Sequence, residues 1–449
     1  YDADGKLIST TDKFGRHVTL QYDANGKLTS VTDDIGRQLL YEYDSSDRIV
    51  KIVLPDGSPL FYAYDSRGNL DRIQFADGAV RKYLYNEPDL TSGATLPNAL
   101  TGIVDETGKR IRTLKYDTQG RGIAVEGAGG TNRYTVAYET GGSVVTNPLL
   151  TQGVHQFQSI AGVTKKVAAS QAAGAGCGPA SAASVYDAYG NLSSRVDLNG
   201  NTSCFAYDLN RSLEVVRLEG LAPGTGCPSD LLAYVPVVGS AEKKTTTAWH
   251  SAMRRPVLIV QGNRKTEYVY DSQGKEIRKS VMDLTTGARR VWTSTYTYGV
   301  GNFVIQKVED GPRSGAVDSS VTDYYSPTET CAGALFGCRG QVKRDVNAAG
   351  HATRYTQYNV HAQPTEIIGP NGVVTTISYD RRQRVTAISR GSLSIALQYD
   401  AAGRLVDATQ SDGASVALHY ADTNRLTKLV DPGGNVARIQ YDLMGNPTR

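Results

Sequence analysis

Six histidines, His17, His155, His250, His351, His361 and His419, are scattered along the 449 residues with no His-x-x-x-His pair. No Gly-x-Ser-x-Gly elbow accompanies them, so neither a zinc hydrolase nor a serine hydrolase is signalled, and surface or strand histidines are the expectation. Asp2-Ala3-Asp4-Gly5 opens like a calcium loop, but the remaining acidic ligands are missing and a hairpin turn is the better reading. The five cysteines, Cys177, Cys204, Cys227, Cys331 and Cys338, form no Cys-x-x-Cys pair, which argues against structural zinc. Cys331 and Cys338 bracket a short stretch and could close a small disulfide loop, and Cys204 with Cys227 is the second pairing. Lys6, Lys27, Arg48, Arg121, Arg404 and Arg425 recur just after turns. They would suit a ligand-binding ladder, yet a solvated cation beside the aspartate of its own turn explains them more simply. No catalytic residue, cofactor site or metal site is therefore expected.

What would position such residues is a beat. The Tyr-Asp-x-x-Gly element starts at Tyr1, Tyr22, Tyr43, Tyr64 and Tyr85, each 21 residues after the last. It returns at Tyr186 and Tyr207, at Tyr270, and at Tyr358, Tyr379, Tyr399, Tyr420 and Tyr441, with one step of 20. A fixed period in this range signals a stacked repeat architecture, whose length grows in one dimension rather than by domain count. The expectation is one continuous repeat array over 1–449, with looser or inserted segments at about 141–185, 220–248 and 311–340. Tyr1 and Arg449 both fall inside repeats, so the chain reads as a fragment of a longer one.

Hydrophobic residues make up 40% and charged residues 21%, with 47 Gly and 16 Pro, a folded and turn-rich composition. Tyr, at 27 against 7 Phe, suits strands whose aromatic rings keep a hydroxyl hydrogen-bonded. A net charge of +3 offers no basic stripe for a phosphate backbone, so nucleic acid is not an expected partner. The longest apolar run, Leu231 to Val238, contains Pro236 and is too short to span a bilayer. No export signal is visible.

Each period holds two strand-like segments and two turns. One turn is Tyr-Asp-x-x-Gly; the half-period turn is Asp12-Lys13-Phe14-Gly15, Asp33-Asp34-Ile35-Gly36, Pro55-Asp56-Gly57 or Ala76-Asp77-Gly78. Asp at the head of a turn can accept the backbone N–H two residues on, and Gly takes the positive φ of a tight hairpin. Val18, Leu20 and Tyr22 share one face, as do Leu39, Tyr41 and Tyr43, and Leu60, Tyr62 and Tyr64. Thr19, Gln21 and Glu42 face the other way, the alternation of an antiparallel sheet with one apolar face. Ala168 to Ser184 is rich in Ala, Gly and Ser and reads as a loop or irregular edge. About 40 strands exceed the roughly ten that an open twisted sheet tolerates, so the ribbon must wind, with successive turns packed edge to edge.

The 21-residue beat, the Tyr-Asp-x-x-Gly-Arg/Lys/Asn-Leu signature and segments such as Asn199-Gly200-Asn201-Thr202-Ser203-Cys204-Phe205-Ala206-Tyr207-Asp208 resemble the bacterial Rhs, or YD-repeat, family over essentially the whole chain. The resemblance implies an all-β fold of tandem hairpin repeats winding into a large spiral β-sheet shell. It also implies a function: a non-catalytic wall that encloses and helps deliver a C-terminal toxin domain of the same parent chain, in a secreted or cell-surface bacterial protein. Secretion-machinery and immunity proteins are further partners it suggests. In that family the core closes on an Asp-Pro-x-Gly element where aspartyl self-cleavage frees the toxin. Asp431-Pro432-Gly433-Gly434 fits superficially, yet it occupies an ordinary half-period turn and is read as one. A cell-surface carbohydrate-binding or adhesion module, with glycan held by exposed Tyr and Arg/Asn ladders, is the alternative.

Overall fold

A ribbon of hairpin repeats pairs each strand with its neighbours in sequence, and the strand pairing found is of that kind. The computed structural model describes residues 1–12, 17–172, 178–313, 315–330 and 337–448. Among them lie 36 strands and three short 3₁₀ turns, with no α-helix. The strands belong to an antiparallel sheet, in which consecutive strands are the hydrogen-bonded neighbours, as between Gln38–Tyr43 and Ile49–Val53 or between Val374–Tyr379 and Val385–Arg390. Residues 13–15 of the turn read at Asp12 lie outside the described residues, as do residues 173–177 of the Ala168–Ser184 stretch.

By its contacts the chain divides into Tyr1–Thr131 with Thr295–Asp310 and Gly315–Arg449, and Asn132–Ser294 with Gly311–Ser314. In the first unit the strict repeats give two strands per period: His17–Tyr22 with Leu28–Asp33, Gln38–Tyr43 with Ile49–Val53, Pro59–Tyr64 with Leu70–Gln74. In His17–Tyr22 and Gln38–Tyr43 accessibility alternates residue by residue, with Val18, Leu20, Tyr22, Leu39, Tyr41 and Tyr43 on the more buried face. The pairing register slips just before the repeat tyrosine, between Gln21 and Tyr22, Glu42 and Tyr43, Ala63 and Tyr64, and again between Ser378 and Tyr379. Such a bulge bends the ribbon and re-aims the tyrosine, and its recurrence supplies curvature in equal steps. Among its described residues the stretch 311–340 carries one strand, Ser320–Tyr324.

The second unit has longer strands, Gln152–Ile160, Val163–Gln171 and Leu213–Leu221. Of the small-residue stretch read as a loop, the part from Ala168 to Gln171 belongs to the strand Val163–Gln171 and the part from Ala180 to Ser184 to the strand Ala180–Tyr186. Ala168 faces Ala183 and Ala169 faces Ala182 across the pair. Alanine and serine are poor strand formers alone, but a cross-strand ladder overrides propensity. Cys204 and Cys227, both described, form a disulfide that ties the loop after Leu213–Leu221 back to the strand Thr202–Asp208. Leu231 and Tyr234 of that loop pack on Cys204, Leu218 and Leu221. Cys331 lies outside the described residues; Cys338 is fully buried and disulfide-bonded.

Only nine apolar residues are buried among the described residues. The accessible surface is 25237 Å², against roughly 16,500 Å² for a compact chain of this mass. A single sheet, with no α-helix among the described residues to pack on it, accounts for the excess. Stability must then come from hairpin-by-hairpin bonding rather than from a central core.

Turn geometry carries that bonding. Asp23 N–H donates to Lys27 O at 2.9 Å and Gly26 N–H to Asp23 O at 3.0 Å. Gly26 takes φ 81°, and its neighbours in register use Asp47, Gln383 and Asn424 at φ 62° to 65°. A β-branched residue resists this conformation by about 1–2 kcal/mol, and a Cβ at position 26 would also meet Lys6 Nζ at 2.7 Å. Gly26→Val is expected to lower the urea midpoint of the amino-terminal repeats, while Gly26→Asn costs much less. Equal midpoints for the two variants would show that the positive φ is not what the turn needs.

Candidate functional site: a charged seam between turns

Where an aspartate heads a turn, it builds the turn. Asp23 Oδ1 accepts Asn25 N–H at 2.9 Å and Lys27 N–H at 2.8 Å. Asp2 does the same for Asp4 and Lys6, so Asp2-Ala3-Asp4-Gly5 is a hairpin turn. Asp431 likewise accepts Asn435 N–H at 2.8 Å, with Gly434 N–H on Asp431 O, so Asp431-Pro432-Gly433-Gly434 is an ordinary half-period turn. The second carboxylate oxygen takes the residue five after the tyrosine: Arg48 to Asp44 at 2.9 Å, Arg121 to Asp117 at 2.7 Å, Arg404 to Asp400 at 2.6 Å, with Asn446 to Asp442 as the neutral version.

The same cations have a second role that the sequence reading did not assign. Arg48 lies 4.6 Å from the ring centroid of Tyr64, Arg404 5.2 Å from Tyr420 and Arg425 5.4 Å from Tyr441; Lys6 and Lys27 sit 5.9 and 5.8 Å from Tyr22 and Tyr43. Each such tyrosine is clamped by the turn before it, at about 0.5–1 kcal/mol for an exposed cation over a ring. The phenol reaches further back. Tyr22, Tyr43, Tyr64, Tyr379, Tyr399 and Tyr441 donate to the carbonyls of Leu7, Leu28, Ile49, Pro364, Val385 and Leu426, all within 2.7–2.9 Å. In the second unit Tyr186 donates to Lys166 and Tyr270 to Pro256. Tyr1 is largely exposed; Tyr207 is partly buried. Burial raises the phenol pKa of Tyr43, Tyr64 and Tyr379, keeping each a donor at neutral pH.

Within the first unit, turns some 300 residues apart meet. The half-period turns of the early repeats present Ile35, Asp56, Asp77 and Glu106. The turns of the late repeats present His361, Arg382, Gln383 and Arg384. Asp56 Oδ2 accepts Gln383 Nε2 at 3.3 Å and lies 3.1 Å from His361 Nε2, at an angle unsuited to a hydrogen bond. Arg384 Nη2 donates to Asp77 Oδ2 at 3.1 Å while its Nε holds Asp380 at 2.7 Å. Arg382 Nη2 and Arg81 Nη2 both reach Glu106 Oε1 at 3.1 Å, and the Glu106 side chain is 0% exposed. The Arg382 guanidinium lies 4.3 Å from the Phe75 ring centroid. Arg339 closes the row on Ile35 O at 3.3 Å. Lys109 and Asp422, 3.5 Å apart and more than half exposed, mark its loose rim.

The residues that join distant repeats are thus mostly turn-tip residues, with Arg384 the recurring post-turn arginine that also reaches across, to Asp77. Arg381-Arg382-Gln383-Arg384 was the available signal, a turn with three arginines where its fellows carry at most two. Of the histidines, His361 alone among those described joins a contact between distant repeats; His17 pairs with Asp34 at 2.8 Å, one hairpin away. No group of three or more metal-ligating residues occurs among the described residues, and no helix is long and apolar enough to cross a membrane.

Two expectations follow. Glu106→Gln leaves two guanidiniums facing a neutral amide in a buried position and should destabilise the first unit by on the order of 3 kcal/mol. Lys109→Ala at the exposed rim should change stability by only about 0.5 kcal/mol. Equal effects on the denaturant midpoint would remove the seam's buried end from the account. The second concerns acid. Burial pushes the Asp56 carboxyl up, but the Ser58 N–H and His361 outweigh it and hold it below the usual range. The Arg48 guanidinium holds Asp44 low, and Asn69 and Asn446 do so for Asp65 and Asp442. A lowered folded value gives stability that is complete above the unfolded pKa of about 3.9 and is lost as pH falls through the folded value. Thermal midpoints should stay level from pH 7 to about 4.5 and fall below pH 4; a decline beginning at pH 6.5 would point to histidine instead.

Residues 346–449 match the family model of the teneurin YD-shell, and residues 1–34 and 22–59 match that of the RHS repeat. No curated protein sequence matches the chain. Among solved structures, it resembles the crystal structure of TcdB2-TccC3-Cdc42 at 12% identity over 96% of this chain and 26% of that chain, with a TM-score of 0.62. The Tc holotoxin pore of Photorhabdus luminescens is 13% identical over 99% of this chain and 24% of that one, with a TM-score of 0.56. TcdB2-TccC3-TEV is 11% identical over 98% and 24%, with a TM-score of 0.58. The likeness is one of fold, and the chain spans about a quarter of the length of the solved chains it matches.

Proposed function

We propose, from the shell fold and from the matches to the RHS repeat and teneurin YD-shell models toward the two ends of the chain, that it serves as a wall segment enclosing a toxin domain of the same parent polypeptide and helping to deliver it. The observation that carries this reading is a single sheet whose early half-period turns are fastened to its late Tyr-Asp turns through Glu106, Asp77 and Asp56. A wall needs such fastening. A binding platform does not, because an open ribbon would present its faces equally well. Family and fold are structural ones, and the charged groups of the seam neutralise each other rather than standing ready for a substrate. The glycan-binding alternative draws no support from the recurring tyrosines, since their hydroxyls are donated within the chain.

Containment hides a dangerous or partly unfolded segment from the producing cell and from protease, and a secreted or surface location in a bacterium fits that task. Immunity and secretion-machinery proteins are the partners such a cargo would require. The test is proteolysis of the whole polypeptide its gene encodes. The segment downstream of the repeats should survive proteinase K in the native protein and be digested at least tenfold faster in the Glu106→Gln/Arg382→Ala variant. Digestion of that segment in the native protein as fast as after heat unfolding would overturn the proposal.

A further inference from the structure

Three half-period turns in the first unit share the form x-x-Asp-Gly: Leu54-Pro55-Asp56-Gly57, Phe75-Ala76-Asp77-Gly78 and Gln410-Ser411-Asp412-Gly413. They are built alike. In each the first residue's N–H donates to the carbonyl four residues on, from Leu54 to Ser58 at 2.9 Å, from Phe75 to Ala79 at 2.8 Å and from Gln410 to Ala414 at 2.7 Å. The glycines take φ 80°, 88° and 89°. The aspartate Oδ1 accepts the N–H two residues on, at 2.8 Å in Asp56, 3.1 Å in Asp77 and 2.9 Å in Asp412. That bond leaves Oδ2 aimed outward from the ribbon edge. In Asp56 and Asp77 this oxygen receives His361, Gln383 and Arg384 from the turns of another stretch of ribbon. Asp412 has the same geometry and stands exposed, with no basic residue on it among the described residues.

The opposite edge carries the complementary half. His361 and Arg382 are each the third residue after the repeat tyrosine, Tyr358 and Tyr379. Arg67, third after Tyr64, occupies the same place in an early turn, and its backbone N–H caps on Asp65 at 2.8 Å as that of Arg382 does on Asp380 at 2.8 Å. Its side chain is exposed. An acid at the third place of a half-period turn thus lies beside a base at the third place of a Tyr-Asp turn, Asp56 beside His361 at 3.1 Å and Asp77 beside Arg382 at 3.7 Å, with Arg384, fifth after the tyrosine, adding a closer contact to Asp77 at 3.1 Å.

We propose that the Gln410–Gly413 turn is a docking edge for a further YD-hairpin ribbon, one that presents Arg or His third after its turn tyrosine to Asp412. The occupant is fixed by charge complementarity and by continuity with the seam already formed at Asp56 and Asp77. A lone exposed aspartate would suggest little. Two occupied copies of the same turn in the same unit say what the third is shaped to receive.

Photocrosslinking of the full polypeptide its gene encodes tests this, with Ser411 replaced by p-benzoylphenylalanine. The same replacement at Ala76 is the control, which should crosslink to the Arg382–Arg384 turn. The expected product at 411 joins it to a peptide containing a Tyr-Asp turn with Arg or His at its third place. Asp412→Asn keeps the capping oxygen but removes the charge, and should cut the yield about fivefold while leaving the control unchanged. A crosslink to a peptide outside any Tyr-Asp turn, no product at 411 while the control succeeds, or a yield indifferent to Asp412→Asn would each overturn the proposal. The readout is independent of whether the ribbon encloses cargo, so failure here and failure of protease protection are separable.

Discussion

A repeat tyrosine whose hydroxyl donates to a carbonyl about fifteen residues upstream, and whose ring lies beneath the cation leaving that same upstream turn, couples one hairpin to the one before it. Tyr64 shows both halves, with its hydroxyl on Ile49 O and Arg48 over its ring. The next residue, Asp65, opens the following turn by capping Arg67 and Asn69. The Tyr-Asp dipeptide thus joins backward with one side chain and builds forward with the other. Each contact is small, at about 1 kcal/mol or less. Their repetition replaces the central core that a single sheet does not have.

A ribbon made only of such neighbour contacts would stay open at its edges. The turn tips of the first unit close part of that edge, and they do so with charge because a turn exposes little apolar surface but can hold an aspartate rigidly by its own backbone bond. Location then decides magnitude. Glu106, fully withdrawn from solvent between Arg81 and Arg382, should matter far more than Lys109 and Asp422, whose charges stand mostly in water. The second unit has its own device, a disulfide and a small apolar cluster that fasten the loop after Leu213–Leu221 to the sheet.

The hairpins were legible in the sequence because every interaction that makes them lies within one period. Asp23 two residues before Asn25, Gly26 at the positive φ and the alternation of Val18, Leu20 and Tyr22 are all local signals, and the structure bears them out. The bulge before each tyrosine was not legible, since it is a property of pairing rather than of either strand alone. Nor was the seam: nothing near Asp56 announces a residue 305 positions away. At the two ends of the Ala168–Ser184 stretch the small residues gave no strand signal of their own, and cross-strand pairing holds Ala168 to Ala183 there; residues 173–177, with two of the glycines that suggested a loop, lie outside the described residues. Of the two cysteine pairings read from the sequence, Cys204 with Cys227 is formed, by a loop folding back on its own hairpin, while Cys331 of the other lies outside the described residues.

The most direct measurement is a cryo-electron microscopy map of the full polypeptide that contains these residues. The account predicts the turns at Asp56, Asp77 and Glu106 in contact with those at His361, Arg382 and Arg384, and a wall with polypeptide density on its inner side. A ribbon with those two sets of turns apart and an empty, accessible face would contradict it.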